Sequence, residues 1–398
     1  MFRERKIAIV YDWIDKWGGV ERVLLTLHDV FPNADFYTSY YDSEKAPWAK
    51  DLKIKTSFIQ KLPKFIKKNR ILSFPLYSYA FESLDFKGYN LVISVTSSFA
   101  KAVITRPETR HVCYLLTPTR YLWLYPGEYV KNKIISGILA PYINKMKKWD
   151  MIVAQRPDKI ISISQTVADR CKKYYNRESE VVYPPFDIKY WTKIKSKFQS
   201  LNLKSNPNFK SEIPEKYFLV VSRLEPYKKI DLIIKVFNKQ NHVPSRIDRH
   251  QDGKTDSKHH LIIVGEGSEE KKLKEIAGEN ITFLSKLTDE ELVYLYSKAE
   301  ALIMPQEEDF GYVALEAQFF GCPVIAYNKG GASITVSEGK TGLFFHDQTV
   351  EELSKAIGKY NMVKYKLQRN TLEFGPKNVE RFAKEKFVNE FKRVTRNL

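Results

Sequence analysis

The sequence predicts an α/β protein built from two doubly wound parallel-sheet domains in series. Short apolar runs of strand length alternate with amphipathic helix patterns along most of the 398 residues, and this alternation favours parallel sheets covered by helices on both faces. The alternation stops once, at a Pro-containing and then Lys- and Asn-rich stretch over residues 181–211, and then starts again. Because the chain is also long for one domain, we expect two domains with a boundary in that stretch.

The predicted domain boundaries follow from this break. We assign residues 1–187 to a first domain, 188–211 to a linker and 212–375 to a second domain, and the amphipathic pattern over residues 376–398 predicts a C-terminal helix. Ligands of doubly wound sheets bind at the carboxyl ends of the strands, so we expect a ligand site in a cleft between the two domains.

Composition argues against several classes of protein. A hydrophobic content of 43% supports a packed core, no apolar run is long enough to span a bilayer, and the N-terminus leads directly into a strand pattern without resembling a signal peptide. Cys113, Cys171 and Cys322 are far apart and have no metal or disulfide spacing. We therefore expect a reduced, cytoplasmic protein without a structural metal.

Clusters of basic residues occur in two segments. A net charge of +18 and 14% aromatic residues are compatible with nucleic acid, an anionic membrane or anionic substrates as partners. Over residues 61–76 and 131–148, lysines interleave with bulky apolar residues, a pattern closer to membrane-surface segments than to single-strand nucleic-acid platforms. We predict peripheral contact with the inner face of a membrane; the alternative is two basic amphipathic helices that simply pack on the domain.

A glycine turn follows the first predicted strand. Residues 7–11 form an apolar run that leads through Gly18 and Gly19 into an amphipathic helix. Paired glycines let a ligand approach the backbone and leave first-turn amides available to phosphate, although the loop lacks the dinucleotide-binding pattern G-x-G-x-x-G. Further strands of this domain are predicted at residues 89–95, 111–116 and 159–164.

The second domain repeats the alternation. Its predicted strands occupy residues 217–222, 260–264, 281–284, 301–304 and 324–327. Residues 241–259 have no apolar period and predict a solvated insertion. His250, His259 and His260 lie in or beside it, but without carboxylate or cysteine support they do not predict a metal site.

Two glutamates flank a predicted helix start. Residues 311–320 read as a helix that Gly321 and Pro323 would end. Glu308 lies in the loop before this helix and Glu316 lies inside it. Helix N-termini attract anions, so a carboxylate on each side of this start suits a ligand with both phosphates and hydroxyls. Acids at a helix start can equally be a solvated first turn.

Arg223 and Lys228 extend this set. Both lie in the loop after the strand at residues 217–222, where such sheets bind ligands. An arginine fork and a lysine point charge together suit a diphosphate. With Glu308 and Glu316 they describe a nucleotide-sugar site, in which cations and helix amides bind the diphosphate and the carboxylates bind sugar and ribose hydroxyls.

Several separated motifs resemble one enzyme family. Residues 308–317 (EDFGYVALEA) are similar to the E-x7-E motif of the large retaining glycosyltransferase family of GT-B fold, known as glycosyltransferase group 1 or family 4. The same resemblance is carried by residues 18–22 (GGVER), 222–228 (SRLEPYK) and 265–267 (GEG). It implies the GT-B fold, with two Rossmann-like domains facing across a cleft and a C-terminal helix that crosses back to the N-terminal domain.

Within this family, residues 100–101 and 117–123 look most like the mannosyltransferases of cell-surface polysaccharide assembly. That likeness implies an enzyme that moves mannose from GDP-mannose to a glycan or lipid-linked acceptor with retention of configuration. A UDP-sugar-dependent transferase of the same fold, and a non-catalytic or nucleic-acid-binding basic protein, are the alternatives. The family typically works without a metal, so no cofactor is expected. No nucleic-acid partner is expected for such a transferase either.

The resemblance also implies roles for individual residues. Arg223 and Lys228 would hold the diphosphate and stabilise the leaving group, Glu308 would contact the transferred sugar, and Glu316 would contact the ribose. The other donor-binding residues implied are Gly18, Gly19, Gly265, Lys286, Leu287, Phe310, Gly311 and Tyr312. The acceptor or membrane side is assigned to Lys64, Lys67, Lys68, Lys101 and Arg120.

Three positions depart from the family pattern. Ile163 precedes Ser164 where the resemblance implies an Asn-Ser pair. Leu116 stands where the family usually has a histidine that contacts the donor sugar, and His111 on the preceding strand is a poor substitute. Lys229 stands where a glycine often follows the motif lysine. The leucine leaves weaker activity, an altered donor or an inactive protein open.

Overall fold

The chain divides into two compact units in a computed structural model that describes residues 6–69, 73–124, 133–200, 213–240 and 259–396. The first unit comprises Met1–Pro185 together with Lys384–Leu398, and the second comprises Phe186–Ala383. Each unit contains one parallel sheet with helices around it, so the predicted fold class of two doubly wound domains is confirmed.

The first unit is built on a seven-stranded parallel sheet. Its strands are β1 (Ile7–Tyr11), β2 (Asp35–Thr38), β3 (Lys53–Thr56), β4 (Leu91–Thr96), β5 (Arg110–Leu115), β6 (Lys159–Ser162) and β7 (Glu180–Val181). They are ordered β3-β2-β1-β4-β5-β6-β7. Because the chain builds outward from β1 in one direction and then returns to place β4 on its other side, the direction reverses between β1 and β4.

The helices of this unit connect the strands. They are α1 (Val20–Val30), α2 (Lys64–Lys67), α3 (Tyr77–Glu82), α4 (Arg120–Trp123), α5 (Lys133–Val153) and α6 (Gln165–Tyr175). The strands β1 and β4 are buried along their whole length. Apolar strands that are buried on both faces are the expected consequence of covering a parallel sheet with helices.

The second unit is built on a six-stranded sheet. Its strands are β8 (Tyr217–Val221), β9 (His260–Val264), β10 (Ile281–Leu284), β11 (Leu302–Met304), β12 (Val324–Tyr327) and β13 (Gly342–Phe345), ordered β10-β9-β8-β11-β12-β13. Its helices are α7 (Ile188–Ser200), α8 (Ile230–Gln240), α9 (Glu270–Ile276), α10 (Asp289–Lys298), α11 (Tyr312–Phe319), α12 (Ala332–Thr335) and α13 (Val350–Val379). The last helix, α14 (Lys384–Thr395), is grouped with the first unit.

Two predicted segments differ from the structure. Residues 188–200, which we predicted as linker, form α7, because Trp191 packs its ring 5.6 Å from that of Phe320 and is buried. The predicted C-terminal helix over 376–398 is divided, since α13 continues through Pro376 and α14 begins at Lys384. The rest of the predicted linker, residues 201–211, lies outside the described residues.

The last helix packs on the first sheet through aromatic rings. Phe387 and Phe391 of α14 lie with their ring centroids 5.7 and 6.2 Å from that of Tyr114 on β5. Aromatic contacts of this kind bury large apolar area, which is why this segment belongs with the first unit. Among the helices that the structure describes, none combines the length and the apolar character needed to cross a membrane.

Candidate functional site

The candidate site of the second unit lies where β8 and β11 end. These strands are neighbours, yet β9 and β10 lie on the other side of β8, so the chain changes direction between them. Such a switch point is where open α/β sheets bind ligands, because the two loops diverge and leave a crevice. The loop after β8 contains Arg223 and Lys228, and the loop after β11 contains Glu308.

An ion pair joins these two loops. The Lys228 ammonium donates to Oε1 of Glu308, and the two side chains are only 10% and 17% exposed. Gln306 donates through Nε2 to the same oxygen at 2.6 Å. Charge-assisted bonds of this kind orient a carboxylate firmly. The structure therefore brings together Lys228 and Glu308, which the sequence assigned to one site, and adds Gln306, which the sequence analysis missed.

The backbone around Lys228 requires an unusual conformation. Lys228 ends a short 3₁₀ turn that starts at Pro226, and Lys229 follows with φ of +53°. That left-handed region favours glycine, and a side chain there costs about 1 kcal/mol. Lysine in place of glycine at residue 229 therefore strains the backbone of the loop that carries Lys228.

A pair of glycines supports the Glu308 loop. A Cβ on Gly331 would lie 2.2 Å from the carbonyl oxygen of Phe310, and one on Gly330 would lie 2.2 Å from that of Glu308. The Gly331 amide also donates to the Glu308 carbonyl at 2.6 Å. Only glycine permits this approach of two backbones. These residues are not among the predicted site residues, although a Gly-Gly pair shortly after a predicted strand was the available signal.

Gly265 also permits a close approach of two backbones, on the other side of the switch point. Its φ is +147°, and a Cβ there would lie 1.9 Å from the Ser222 carbonyl oxygen. Gly267 packs equally closely against the backbone of Leu224. The predicted donor-binding Gly265 thus holds the loop that carries Arg223. The Arg223 side chain is exposed and donates to the Tyr227 hydroxyl, with its guanidinium 5.9 Å from that ring.

The helix after Glu308 begins at Tyr312, one residue later than predicted. Gly311 is its N-cap, with φ of +90°. Glu316 is 4% exposed and accepts a hydrogen bond from the Tyr296 hydroxyl at 2.9 Å, so it is not part of a solvated first turn. Phe310 is buried, and its ring lies 5.3 Å from that of Phe382; its side chain therefore serves the core.

The remaining predicted residue pair of this unit lies beside β10. Lys286 is exposed, with φ of +55°, and Leu287 is half-buried. The loop follows β10, which neighbours β9, and the Gly265 amide donates to the Leu284 carbonyl at 2.9 Å. The loops after β8, β9 and β10 thus contact one another in turn along one edge of the sheet.

In the first unit, the glycine turn leads into a helix start that already holds a carboxylate. Gly18 and Gly19 are exposed, and Gly19 is the N-cap of α1. Glu21 in the first turn is buried, which raises its pKa to about 7, while the backbone N–H groups of Glu21 and Gly18 lower it. Amides that we expected to be available to phosphate are therefore partly used by Glu21.

A second buried carboxylate was missed by the sequence analysis. Asp12, directly after β1, accepts hydrogen bonds from the backbone amides of Ser97, Phe99 and Ala100 at 2.7–2.8 Å. Burial raises its pKa, and these amide bonds lower it. Asp12 thus ties the loop after β1 to the loop after β4 at the point where the first sheet changes direction. A lone aspartate after a strand gave no sequence signal for this.

Lys101 does not belong to an exposed basic surface. It is 1% exposed and its ammonium lies 2.7 Å from Oδ1 of Asp150, whose carboxylate also accepts from Trp123 and Tyr175 at 2.8 Å. A buried cation persists only with such a partner, and this corrects its assignment to the membrane side. Of the other predicted residues of that side, Lys64 and Lys68 are exposed, and Lys67 and Arg120 are half-buried.

Leu116 directly follows β5, and His111 is the second residue of that strand. Leu116 is half-buried and its amide donates to the Thr96 carbonyl at 2.8 Å. His111 is buried within β5, where burial lowers its pKa to about 3, and its Nε2 lies 2.8 Å from Ser94 Oγ. It is an interior residue, as the strand pattern indicated.

In the described part of the chain, no group of three or more His, Cys, Asp and Glu residues could hold a metal ion; His250 lies outside that part.

Comparison with known proteins places residues 204–371 in the family model of glycosyl transferases group 1. A D-inositol 3-phosphate glycosyltransferase of Corynebacterium urealyticum is 35% identical over 142 residues, which are 34% of this chain and 33% of the relative. A GDP-mannose-dependent alpha-(1-6)-phosphatidylinositol monomannoside mannosyltransferase of Mycobacterium tuberculosis is 30% identical over 39% of this chain and 42% of the relative. The chain thus spans less than half the length of these curated relatives.

Solved structures resemble the chain over nearly its whole length. Anabaena HepE in complex with UDP has a TM-score of 0.67 at 18% identity and covers 99% of this chain and 100% of its own. The sucrose-phosphate synthase of Thermosynechococcus elongatus has a TM-score of 0.70 at 17% identity and covers 99% of each chain. At these identities the likeness establishes the shared fold.

Proposed function

We propose, on the premise that this chain belongs through residues 204–371 to the glycosyl transferases group 1 and has the GT-B fold, that it transfers a hexose from a nucleotide sugar to a glycan or lipid-linked acceptor. One observation carries the proposal: the largely buried Lys228–Glu308 pair joins the two loops at the switch point of the second sheet. A fixed cation and a fixed carboxylate at this edge suit a ligand with a diphosphate and hydroxyls.

The donor in this proposal is GDP-mannose. Its support is the similarity to the mycobacterial mannosyltransferase, whose name specifies that donor, over 39% of this chain. A UDP-sugar is the competing donor. We also assign the product to surface polysaccharide synthesis, because residues 100–101 and 117–123 resemble the mannosyltransferases of that process.

The proposed chemistry is an exchange at the anomeric carbon with retention. The bond from that carbon to the diphosphate oxygen breaks, and a bond to an acceptor hydroxyl oxygen forms on the same face. The departing phosphate oxygen takes the hydroxyl proton. Arg223 and Lys228 stabilise the negative charge that develops on the leaving group. Electrostatic stabilisation of this kind usually lowers the barrier more than any other single effect. Glu308 positions the sugar, and Glu316 positions the ribose.

This scheme uses no metal, because Arg223 and Lys228 supply the positive charge that contacts the diphosphate. We expect GDP-mannose or GDP to raise the melting temperature, since a ligand that binds only the folded state stabilises it by about 2.7 kcal/mol at a hundredfold excess over Kd. Thermal shift with a panel of nucleotide sugars, each with and without EDTA, measures this.

The outcomes of the panel are separable. A shift that disappears with EDTA would contradict the metal-free scheme, and a shift with UDP-sugars alone would replace the donor. No shift and no transfer with any nucleotide sugar would contradict the function itself, whereas unchanged transfer in an Arg223→Ala variant would contradict only the assignment of the site.

We also propose that the first unit docks on an anionic membrane. Phe65 on α2 is 68% exposed, and Lys64 and Lys68 beside it are exposed, which combines an apolar anchor with charges that each contribute about 1 kcal/mol near anionic lipid. The full chain is expected to co-sediment with phosphatidylserine vesicles at low salt and to dissociate as salt rises. A Lys64→Glu variant should bind less, whereas Lys271→Glu in the second unit is the matched control. Equal binding of both variants would show that α2 is not the docking surface.

A further inference from the structure

The second unit presents large apolar side chains to solvent along one face of α13. Met362, Tyr365 and Leu372 are 80%, 79% and 65% exposed, and they are separated by three and seven residues. Those intervals place side chains on the same side of a helix, so the three form a line about 15 Å long at 1.5 Å of rise per residue. We call this line the α13 stripe. None of its residues belongs to the candidate site or to α2.

The opposite side of α13 fixes the helix in place. Leu353, Tyr360 and Leu367 are buried in the core of the second unit, and the Tyr360 hydroxyl donates to the Glu300 carbonyl. The rotation of the helix about its axis is therefore set by the core, and the stripe is held in water. A folded helix normally buries its apolar side chains, and an exposed line of them marks an interaction surface.

The charges beside the stripe are positive. Over residues 353–372, α13 carries five lysine and arginine residues and no acid. Three of these cations pair with acids of the same unit, whereas Lys366 and Arg369 are exposed and form no ion pair with any residue that the structure describes. Glu373, just past the stripe, is paired with Lys377 at 3.5 Å. The stripe is therefore flanked by two cations that an anionic partner can neutralise.

A second copy of the chain is a poor partner for this face. A two-fold interface apposes the same patch of both copies, so it would bring both pairs of Lys366 and Arg369 together, and like charges repel more strongly as water is excluded.

A protein partner is disfavoured by size. A large aromatic side chain buries roughly 150–250 Å², so three side chains of this size or smaller offer less than about 750 Å². A stable protein complex buries about 800 Å² on each partner over a complementary surface. The stripe is narrow and convex, and it offers no groove that would add to this area.

We infer that the α13 stripe is a second membrane-docking surface, carried by the second unit, with Met362, Tyr365 and Leu372 at the boundary of headgroups and acyl chains and with Lys366 and Arg369 on anionic headgroups. Helices with bulky apolar residues on one side and basic residues beside them lie in this interface, and tyrosine is enriched at its depth. A bilayer adapts its shape, so a narrow stripe is sufficient. The inference goes beyond the proposed transfer reaction and requires neither that reaction nor docking through α2.

An environment-sensitive fluorophore on the full chain tests the inference. It is attached at Asn361→Cys, an exposed position one turn before Tyr365; the native cysteines are all buried, so the new thiol reacts selectively. Phosphatidylserine vesicles at low salt should shift the emission to the blue, and phosphatidylcholine vesicles should not. The matched control is the same label at Lys271→Cys, an exposed position on α9. Its emission should stay unchanged, because the label reports its own surroundings and not docking elsewhere on the chain.

Two double variants of the labelled chain test the two kinds of contact. Lys366→Gln with Arg369→Gln should raise the vesicle concentration at half-maximal shift by at least about tenfold, since each charge near anionic lipid changes binding by roughly fivefold. Met362→Gln with Tyr365→Gln should abolish the shift. All four side chains are exposed, so these substitutions should leave the melting temperature within about a degree of that of the labelled chain.

The outcomes distinguish the possible partners. Unchanged emission at Asn361→Cys, while the chain co-sediments with the vesicles, would overturn the inference. A blue shift without vesicles that grows with protein concentration would assign the stripe to a second copy, and an equal shift with soluble polyglutamate would assign it to an acidic protein; either result overturns the inference. If the label itself impairs folding, unlabelled chains decide. In a Lys64→Glu background, Lys366→Gln with Arg369→Gln should lower the remaining co-sedimentation, and equal co-sedimentation would refute docking through α13.

Discussion

A Lys228→Met variant is expected to lose at least about 99% of sugar transfer, because the loss of one preorganised charge at a developing anion costs roughly 100-fold or more in turnover. Stability should fall too. Lys228 and Glu308 are 10% and 17% exposed, and removal of one member of such a pair leaves a poorly solvated charge, which costs about 3 kcal/mol. Initial rates with the donor identified by thermal shift, and urea unfolding, measure the two effects.

A double variant separates these effects. Lys228→Met with Glu308→Gln removes both charges, so most of the lost stability should return while transfer stays absent. Lys235→Met is the matched control, because Lys235 forms an exposed ion pair with Asp231 on α8 and such pairs contribute roughly 0–1 kcal/mol. Recovery of transfer in the double variant would show that Lys228 acts only by balancing Glu308.

Gly331→Ala is expected to impair both folding and transfer. The new Cβ would lie 2.2 Å from a backbone oxygen and 2.3 Å from the carbonyl carbon of Phe310, and no side-chain rotation relieves a clash with backbone. The loop that carries Glu308 must therefore move. Overpacking of this kind costs about 2 kcal/mol, and a displacement near 1 Å at a positioning group lowers turnover by about 100-fold.

Gly358→Ala is the matched control for this substitution. Gly358 lies inside α13, and a Cβ there would meet nothing within 4 Å. Alanine is a better helix former, so this variant should gain roughly 0.5–1 kcal/mol and keep full transfer. If Gly331→Ala retained the melting temperature and rate of the unmodified protein, the glycine pair would not be the support of the Glu308 loop.

Much of the architecture was predictable because it depends on local periodicity. Strands such as β8 and β12 are buried on both faces, so their apolar runs stand out in the sequence. Gly321 after α11 has φ of +82°, which is the left-handed position that the sequence assigned to a helix C′. The capping box of α10, formed by Thr288 and Glu291, is a local pattern of the same kind.

The sequence was less informative where burial depends on distant partners. Lys101 was predicted to lie on the acceptor or membrane side, but Asp150, on the far end of α5, pairs with it inside the first unit. Residues 188–200 looked like linker because they are rich in lysine, yet Trp191 anchors them to Phe320. Neither partner can be identified from spacing, because each contact joins residues far apart along the chain.

The sequence alone determined the fold class and most candidate residues of the second unit. Alternating apolar runs and turn residues report on the backbone within a few positions, and that is enough to place Arg223, Lys228 and Glu308 on loops at the ends of strands. Only the tertiary structure decided which of these groups meet, that Glu308 is held between Lys228 and Gln306, and that Gly330 and Gly331 support its loop. The order of strands in the sheet fixes those neighbours, and strand order results from packing over the whole domain, which no local pattern encodes.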